Sequence, residues 1–156
     1  MKFKCSVEIN LPLERVVELF DNPDNLKEWQ DGFISYEHMS GNPGEIGAMA
    51  RMRYKVGSRE IELVETIVKN ELPYEFTGLY DAKEMTNTMK NTFHVVSEKV
   101  TRYDADVEYL KMRGFMVNVM AKLFPGMFRK QVQKWMNQFR DFCEREGAGN
   151  QNTSMA

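Results

Sequence analysis

Residues 127–146, MFRKQVQKWMNQFRDFCERE, decide the fold, because Phe128, Val132, Trp135, Phe139 and Phe142 recur at steps of four, three, four and three, the spacing of one helical face. The spacing predicts a helix over 127–145 with Val132, Trp135 and Phe139 buried against another layer. Upstream, Pro125 lacks a backbone donor and Gly126 adds conformational freedom, so a break is expected between the apolar segment 115–124 and the main helix. Downstream, residues 147–156 are small and polar and read as a frayed, disordered tail.

A helix with an apolar stripe needs a surface to cover, and the rest of the chain supplies a sheet. Residues 2–10 set Phe3, Cys5, Val7 and Ile9 against Lys2, Lys4, Ser6 and Glu8, the period-two pattern of a strand with one buried face. Runs at 33–40, 47–56, 59–69, 74–83, 86–97 and 101–111 follow, divided by short connectors such as Ser40-Gly41-Asn42-Pro43-Gly44 and Gly57-Ser58. Short connectors imply antiparallel neighbours. Before the second run, Pro12 with Val16, Val17, Leu19 and Phe20 marks a short helix over 12–20, and Leu26 with Trp29 marks another over 24–29. The expected fold is α+β: a seven-stranded curved antiparallel sheet wrapped on a long C-terminal helix, with two short helices after strand one, in a single domain over 1–146. A twisted sheet of this size curls, and one helix covers only part of its concave face, so a cavity is expected between them.

Composition narrows the function classes. A chain of 156 residues that is 42% hydrophobic builds one core. Its 21 Lys plus Arg against 23 Asp plus Glu leave a net charge of -2, which argues against a nucleic-acid partner. No continuous apolar stretch is present, so neither a signal peptide nor stable membrane insertion is expected, and the expected address is cytoplasmic. Cys5 and Cys143 lack metal spacing, and a reducing compartment leaves them as free thiols. The 12 Met are compatible with either a Met-rich core or an adaptable ligand pocket.

Strand alternation nominates the residues that face the cavity: Met52 and Tyr54, Leu63, Phe76 and Tyr80, Met89, Asn91 and Phe93, and Tyr109. The helical segments add Met116, Met120 and Leu123 before the break and Phe128 after it. Glu65 and Asn91 are polar residues on nominally inward faces. For Glu65 the expected explanation is a bulge or edge position that leaves the carboxylate in water, rather than a cavity acid. Asn91 suits equally the orientation of a ligand or the tying down of backbone. His38 and His94 have no nearby pattern of a triad or a metal site, no catalytic residue is assigned, and no cofactor or metal is expected. Gly41, Gly44 and Gly47 are turn glycines and not a phosphate loop, since no Lys-Ser or Lys-Thr follows. The cations Lys122, Arg129, Lys130, Lys134, Arg140 and Arg145 suit a solvated helix face better than a membrane-grazing one.

The order of elements, with Leu11-Pro12-Leu13-Glu14-Arg15-Val16, Asn25-Leu26-Lys27-Glu28-Trp29, the glycine loop and Leu72-Pro73-Tyr74, resembles the START-like superfamily of polyketide cyclases, lipid-transfer proteins and the birch pollen allergen over residues 2–145. The resemblance implies a helix-grip fold around an internal hydrophobic cavity. No catalytic motif carries over residue by residue, and fold alone does not fix function. The favoured function is therefore binding or carriage of a hydrophobic small molecule or lipid. The alternatives are a polyketide cyclase or dehydratase type of enzyme, and a protein-interaction module with a filled core. A bulky guest is expected to enter at Pro125-Gly126 together with loop 41–47. If both cysteines are free thiols, thermal unfolding with and without reductant gives the same midpoint; a clear loss of stability on reduction contradicts it.

Overall fold

The computed structural model describes residues 1–154, with side chains described as far as Gly149. Strand β1 (Lys2–Ile9) leads into helix α1 (Leu13–Phe20), a single 3-10 turn (Pro23–Asn25) and the short helix α2 (Leu26–Trp29). Six strands follow: β2 (Phe33–Ser40), β3 (Met49–Val56), β4 (Arg59–Glu71), β5 (Glu75–Ala82), β6 (Met85–Ser97) and β7 (Val100–Met112). Helix α3 (Phe115–Leu123) and the long helix α4 (Gly126–Ser154) complete the chain.

All seven strands form one antiparallel sheet in the order β1-β7-β6-β5-β4-β3-β2. The first strand closes on the last, and each of the others pairs with its sequence neighbour, as short hairpin connections require. Register carries the alternation across the sheet: Ala50 faces Glu65 and Glu65 faces Tyr80, while Phe76 faces Asn91 and Asn91 faces Ala105. The inward residues of five strands thus form continuous rows beneath the helices.

Helix α4 packs chiefly along β1 and α2. Its deepest side chains are Phe139, Met136 and Cys143, which are fully buried, whereas Val132 and Trp135 are half-buried. The difference follows from what each meets: Phe139 packs among Phe20, Trp29 and Tyr103, and Trp135 is stacked on Tyr54 at 5.4 Å. Phe20, the last residue of α1, meets Phe76, Phe93, Tyr103 and Phe139 edge-on at 5.0 to 6.0 Å and stacks on Trp29 at 6.5 Å. This aromatic knot fills one end of the space between sheet and helices.

Two expectations at the C-terminus resolve differently. The helix breaks where Pro125 predicts, with α3 ending at Leu123 and α4 starting at Gly126. It does not fray at residue 147; α4 continues to Ser154. Gly147 lies so close to Leu11 that a Cβ there would sit 2.5 Å from its Cδ1, so the lack of a side chain lets the helix press onto the start of α1. The proposed tail over 147–156 is therefore helical through Ser154, and residues 155 and 156 lie outside the described part.

Phe139→Ala should cost about 3 to 5 kcal/mol in urea unfolding, as large-to-small changes in full cores do. Lys99→Ala, on an exposed turn, is expected to stay within about 0.5 kcal/mol. Comparable small losses for both would show that the knot does not hold α4 in place.

Candidate functional site

The only carboxylate on the inward rows described above is Glu65, in the middle of the sheet. It stands in regular register between Ala50 on β3 and Tyr80 on β5, and the bulge in β4 falls two residues later, between Ile67 and Lys69. The expectation that a bulge or edge would place it in water is therefore overturned. Burial pushes its carboxyl above the usual glutamate range, and a hydrogen bond from the Tyr80 phenol pulls it partly back. Tyr36, opposite Met52 on β2, lies close enough that burial and then the charges of Glu65 and Asp21 raise its phenol as well.

Tyr80 reaches Glu65 because of its neighbour. Gly78 is the next inward position on β5, and a Cβ there would lie 2.7 Å from the Tyr80 hydroxyl and 2.8 Å from Cζ. The phenol lies flat across the glycine, in space that any side chain would occupy. Tyr54 donates to Gln30 Oε1 at 2.6 Å, and Trp135, stacked on it, has a buried indole N–H with no partner among the described residues. One carboxyl, three phenols, an amide and an indole thus share one interior region.

The nominated residues divide into three sets. Met52, Tyr54, Phe76, Asn91 and Phe93 are buried, the last three of them in the packed end. Both ends of the Asn91 amide are used there, its Nδ2 donating to the Phe76 carbonyl at 3.2 Å and its Oδ1 accepting from Tyr103 at 2.6 Å, so it ties down structure. Leu63, Tyr80, Met89, Tyr109, Met120 and Phe128 face inward or toward the sheet and keep part of their surface accessible. Phe128 packs on Tyr109 at 5.1 Å. Met116 and Leu123 contradict their assignment as cavity walls: both are exposed, because α3 turns Val117 to the protein and these two away from it.

Other candidates lie elsewhere. His94 is exposed on the outer face of the sheet, 3.5 Å from Asp104. Ser6 donates to Asp104 and not to the imidazole, so this is not the order in which a histidine activates a serine. Loop 41–47 lies beside the packed end, pinned by Gly47 N–H on the Ile67 carbonyl at 2.8 Å and Asn70 Nδ2 on the Gly44 carbonyl at 2.7 Å. The α3–α4 junction lies toward the opposite end, where Arg113 N–H bonds the Glu84 carbonyl in the β5–β6 turn at 2.7 Å. Two surface depressions, of about 250 Å³ between α2 and α4 and about 400 Å³ on the outer face around Val64, Leu79 and Lys111, are separate from the inward rows. Tyr36 and Gln30 also reach the interior region, through Glu65 and Tyr54. Alternation within 33–40 offers Tyr36; nothing in the local pattern marks Gln30.

The model of polyketide cyclase / dehydrase and lipid transport proteins matches residues 1–140. The chain belongs to this family. Similar folds include a conserved protein of Geobacillus kaustophilus (10% identity, TM-score 0.77, 93% of this chain and 96% of that one). The Zhui aromatase/cyclase of Streptomyces sp. R1128 (9% identity, TM-score 0.77, 93% and 94%) and Ara h 8.0201 (10% identity, TM-score 0.68, 92% and 97%) are also similar. At these identities the likeness establishes the START-like fold alone. No curated protein matches the chain, and no described helix is long and apolar enough to cross a membrane.

Within this polyketide cyclase and lipid transport fold, the raised pKa of Glu65 has a defined consequence. The folded chain holds that proton to higher pH than the unfolded chain, so the stabilisation is complete below the usual value of 4.5 and is lost as pH rises through the folded value. Glu65→Gln, which cannot ionise, should melt higher than the parent at about pH 8 and match it at about pH 4. The same difference at both pH values would place the carboxylate in water.

Proposed function

We propose that the chain binds a mostly apolar small molecule or lipid that carries one hydrogen-bonding oxygen. Its apolar body lies along Leu63, Met89, Tyr109, Met120 and Phe128, and its oxygen meets the Glu65–Tyr80 pair. That pair is the observation carrying the proposal. A carboxyl taken out of water is costly, and a core that needed only packing is served better by an apolar residue of similar volume. Ligand sites, in contrast, are mostly apolar with a few convergent polar groups. Glu65 and Tyr80 lie deep in the fold yet retain accessible surface, as groups lining a void do. The family's description as lipid transport points the same way.

A second reading rests on the same pair. A carboxyl that keeps its proton to higher pH, bonded to a phenol, is the equipment of a general acid or base, and cyclases and dehydratases need such a group inside the cavity. His94 and Asn91 drop out as partners, the first by its place on the outer face and the second because its amide is fully engaged. Glu65 and Tyr80 remain, with Tyr54, whose hydroxyl donates to Gln30.

Displacement of the fluorescent probe N-phenylnaphthylamine tests the binding reading. Dodecanol should displace it about tenfold better than dodecane, the size of one buried hydrogen bond. The Glu65→Ala, Tyr80→Phe double variant should lose that preference while still binding the dye. Failure of the parent to bind dye, or equal displacement by alcohol and alkane, contradicts the proposal. For the enzymatic reading, Glu65→Gln must abolish turnover of a ligand that it still binds.

A further inference from the structure

Helix α3 is turned the wrong way for an ordinary surface helix. At about 100° per residue, Phe115, Val119, Leu123 and Met116 fall within one arc of roughly 100°, while Val117 lies on the opposite side. Val117 is the buried one. Phe115 is 81% exposed, Met116 63% and Leu123 65%, Val119 between them is half-buried, and the stripe continues through Phe124, 62% exposed, at the junction with α4. An amphipathic helix that offers its apolar arc to solvent has an unpartnered face.

The charge along the chain that carries this face is one-sided, although Glu84 of the β5–β6 turn lies beside Gly114 at the start of α3. From residue 110 to residue 140 the chain holds seven Lys and Arg and no Asp or Glu, in a protein whose net charge is -2. Three of the seven pair with carboxylates, Arg113 with Asp81, Lys134 with Asp31 and Arg140 with Asp141, and a fourth, Lys111, lies near enough to Asp81 to act on its charge. Lys122 flanks the arc of α3 and Arg129 and Lys130 open α4; among the described residues no carboxylate lies within ion-pair distance of these three. The Arg129 guanidinium donates to the Lys4 carbonyl, which leaves its charge uncompensated.

We infer that α3 and the α3–α4 junction dock on the surface of an anionic phospholipid bilayer. The composition is that of an interfacial helix: Phe and Leu directed outward, Lys and Arg beside them, and too little length to span. Charge complementarity selects the partner. A second copy of this chain, brought face to face by a two-fold axis, would oppose the same unpaired cations. An acidic protein would satisfy the charges but leave the purpose of an aromatic and aliphatic stripe open, whereas the headgroup boundary of a bilayer takes both. The inference does not depend on what the interior holds.

Co-sedimentation with sucrose-loaded vesicles tests it. The full chain should sediment with phosphatidylcholine vesicles containing about a third phosphatidylglycerol, remain in the supernatant with phosphatidylcholine alone, and be released by about 0.5 M salt. Removing Phe115, Leu123 and Phe124 together as Ser should lower partitioning at least about tenfold. Lys122→Glu with Lys130→Glu should do the same, since each basic residue at an anionic leaflet contributes roughly a five-fold factor. Both variants should keep the parent's circular dichroism and melting midpoint, because the altered side chains are exposed. Absence of binding to the anionic vesicles, equal binding to neutral ones, or variants that bind like the parent overturns the proposal. So does a parent that dimerises through this stripe and ignores vesicles.

Discussion

The contact of Phe20 with Phe139 joins the N-terminal helices to the C-terminal one over the sheet, and most of the architecture follows from where it lies. Phe20 meets five other rings and Phe139 three, so α1, α2, α4 and strands β5 to β7 converge on one aromatic knot. The knot is at one end. Seven strands at about 4.8 Å spacing make a surface roughly 29 Å wide, and one helix covers only about 10 Å of it. Anchored along β1 and α2, α4 leaves the central strands only partly covered. The partial exposure of Leu63, Glu65, Tyr80 and Met89 is the consequence.

The same geometry distributes the interior polar groups over two parts of the fold. Around the knot several polar groups are paired, Tyr103 with Asn91, Asn91 with the Phe76 backbone and Thr101 with the Leu11 carbonyl, while the buried Trp29 indole N–H has no partner among the described residues. Toward the middle of the sheet the Glu65 carboxyl is bonded to the Tyr80 phenol, and the Trp135 indole N–H has no partner among the described residues. The packed end fixes the fold, and the proposed guest would meet the polar middle. Gly78 links the two, because its missing side chain is what lets Tyr80 lie against Glu65.

Periodicity made the seven strands, the three helices then expected and the break at Pro125 legible, since each is a local property of spacing or of proline. It also placed Glu65 inward; the error was to expect an irregularity to rescue the carboxylate, when the register through Ala50 and Tyr80 is regular. Which side of α3 meets the protein was not legible. Phe115, Met116, Val119 and Leu123 make an apolar stripe by spacing, but only the packing of Val117 shows that the stripe looks outward. The helical run beyond residue 146 was hidden for a related reason: Gly147 and Gly149 weaken a helix in isolation, and only the approach to Leu11 shows what the first is for. Gln30 acquires its place from the distant Tyr54, a pairing no local pattern contains.

The central claim is that the space between the sheet and its helices holds a guest. Native mass spectrometry of freshly purified protein addresses it directly. The account predicts a bound species a few hundred daltons heavier than the chain, released on denaturation and recovered as an oxygen-bearing apolar molecule. A chain that carries no such species, and gains none when offered apolar alcohols and lipids, would contradict it and leave the fold as a filled core.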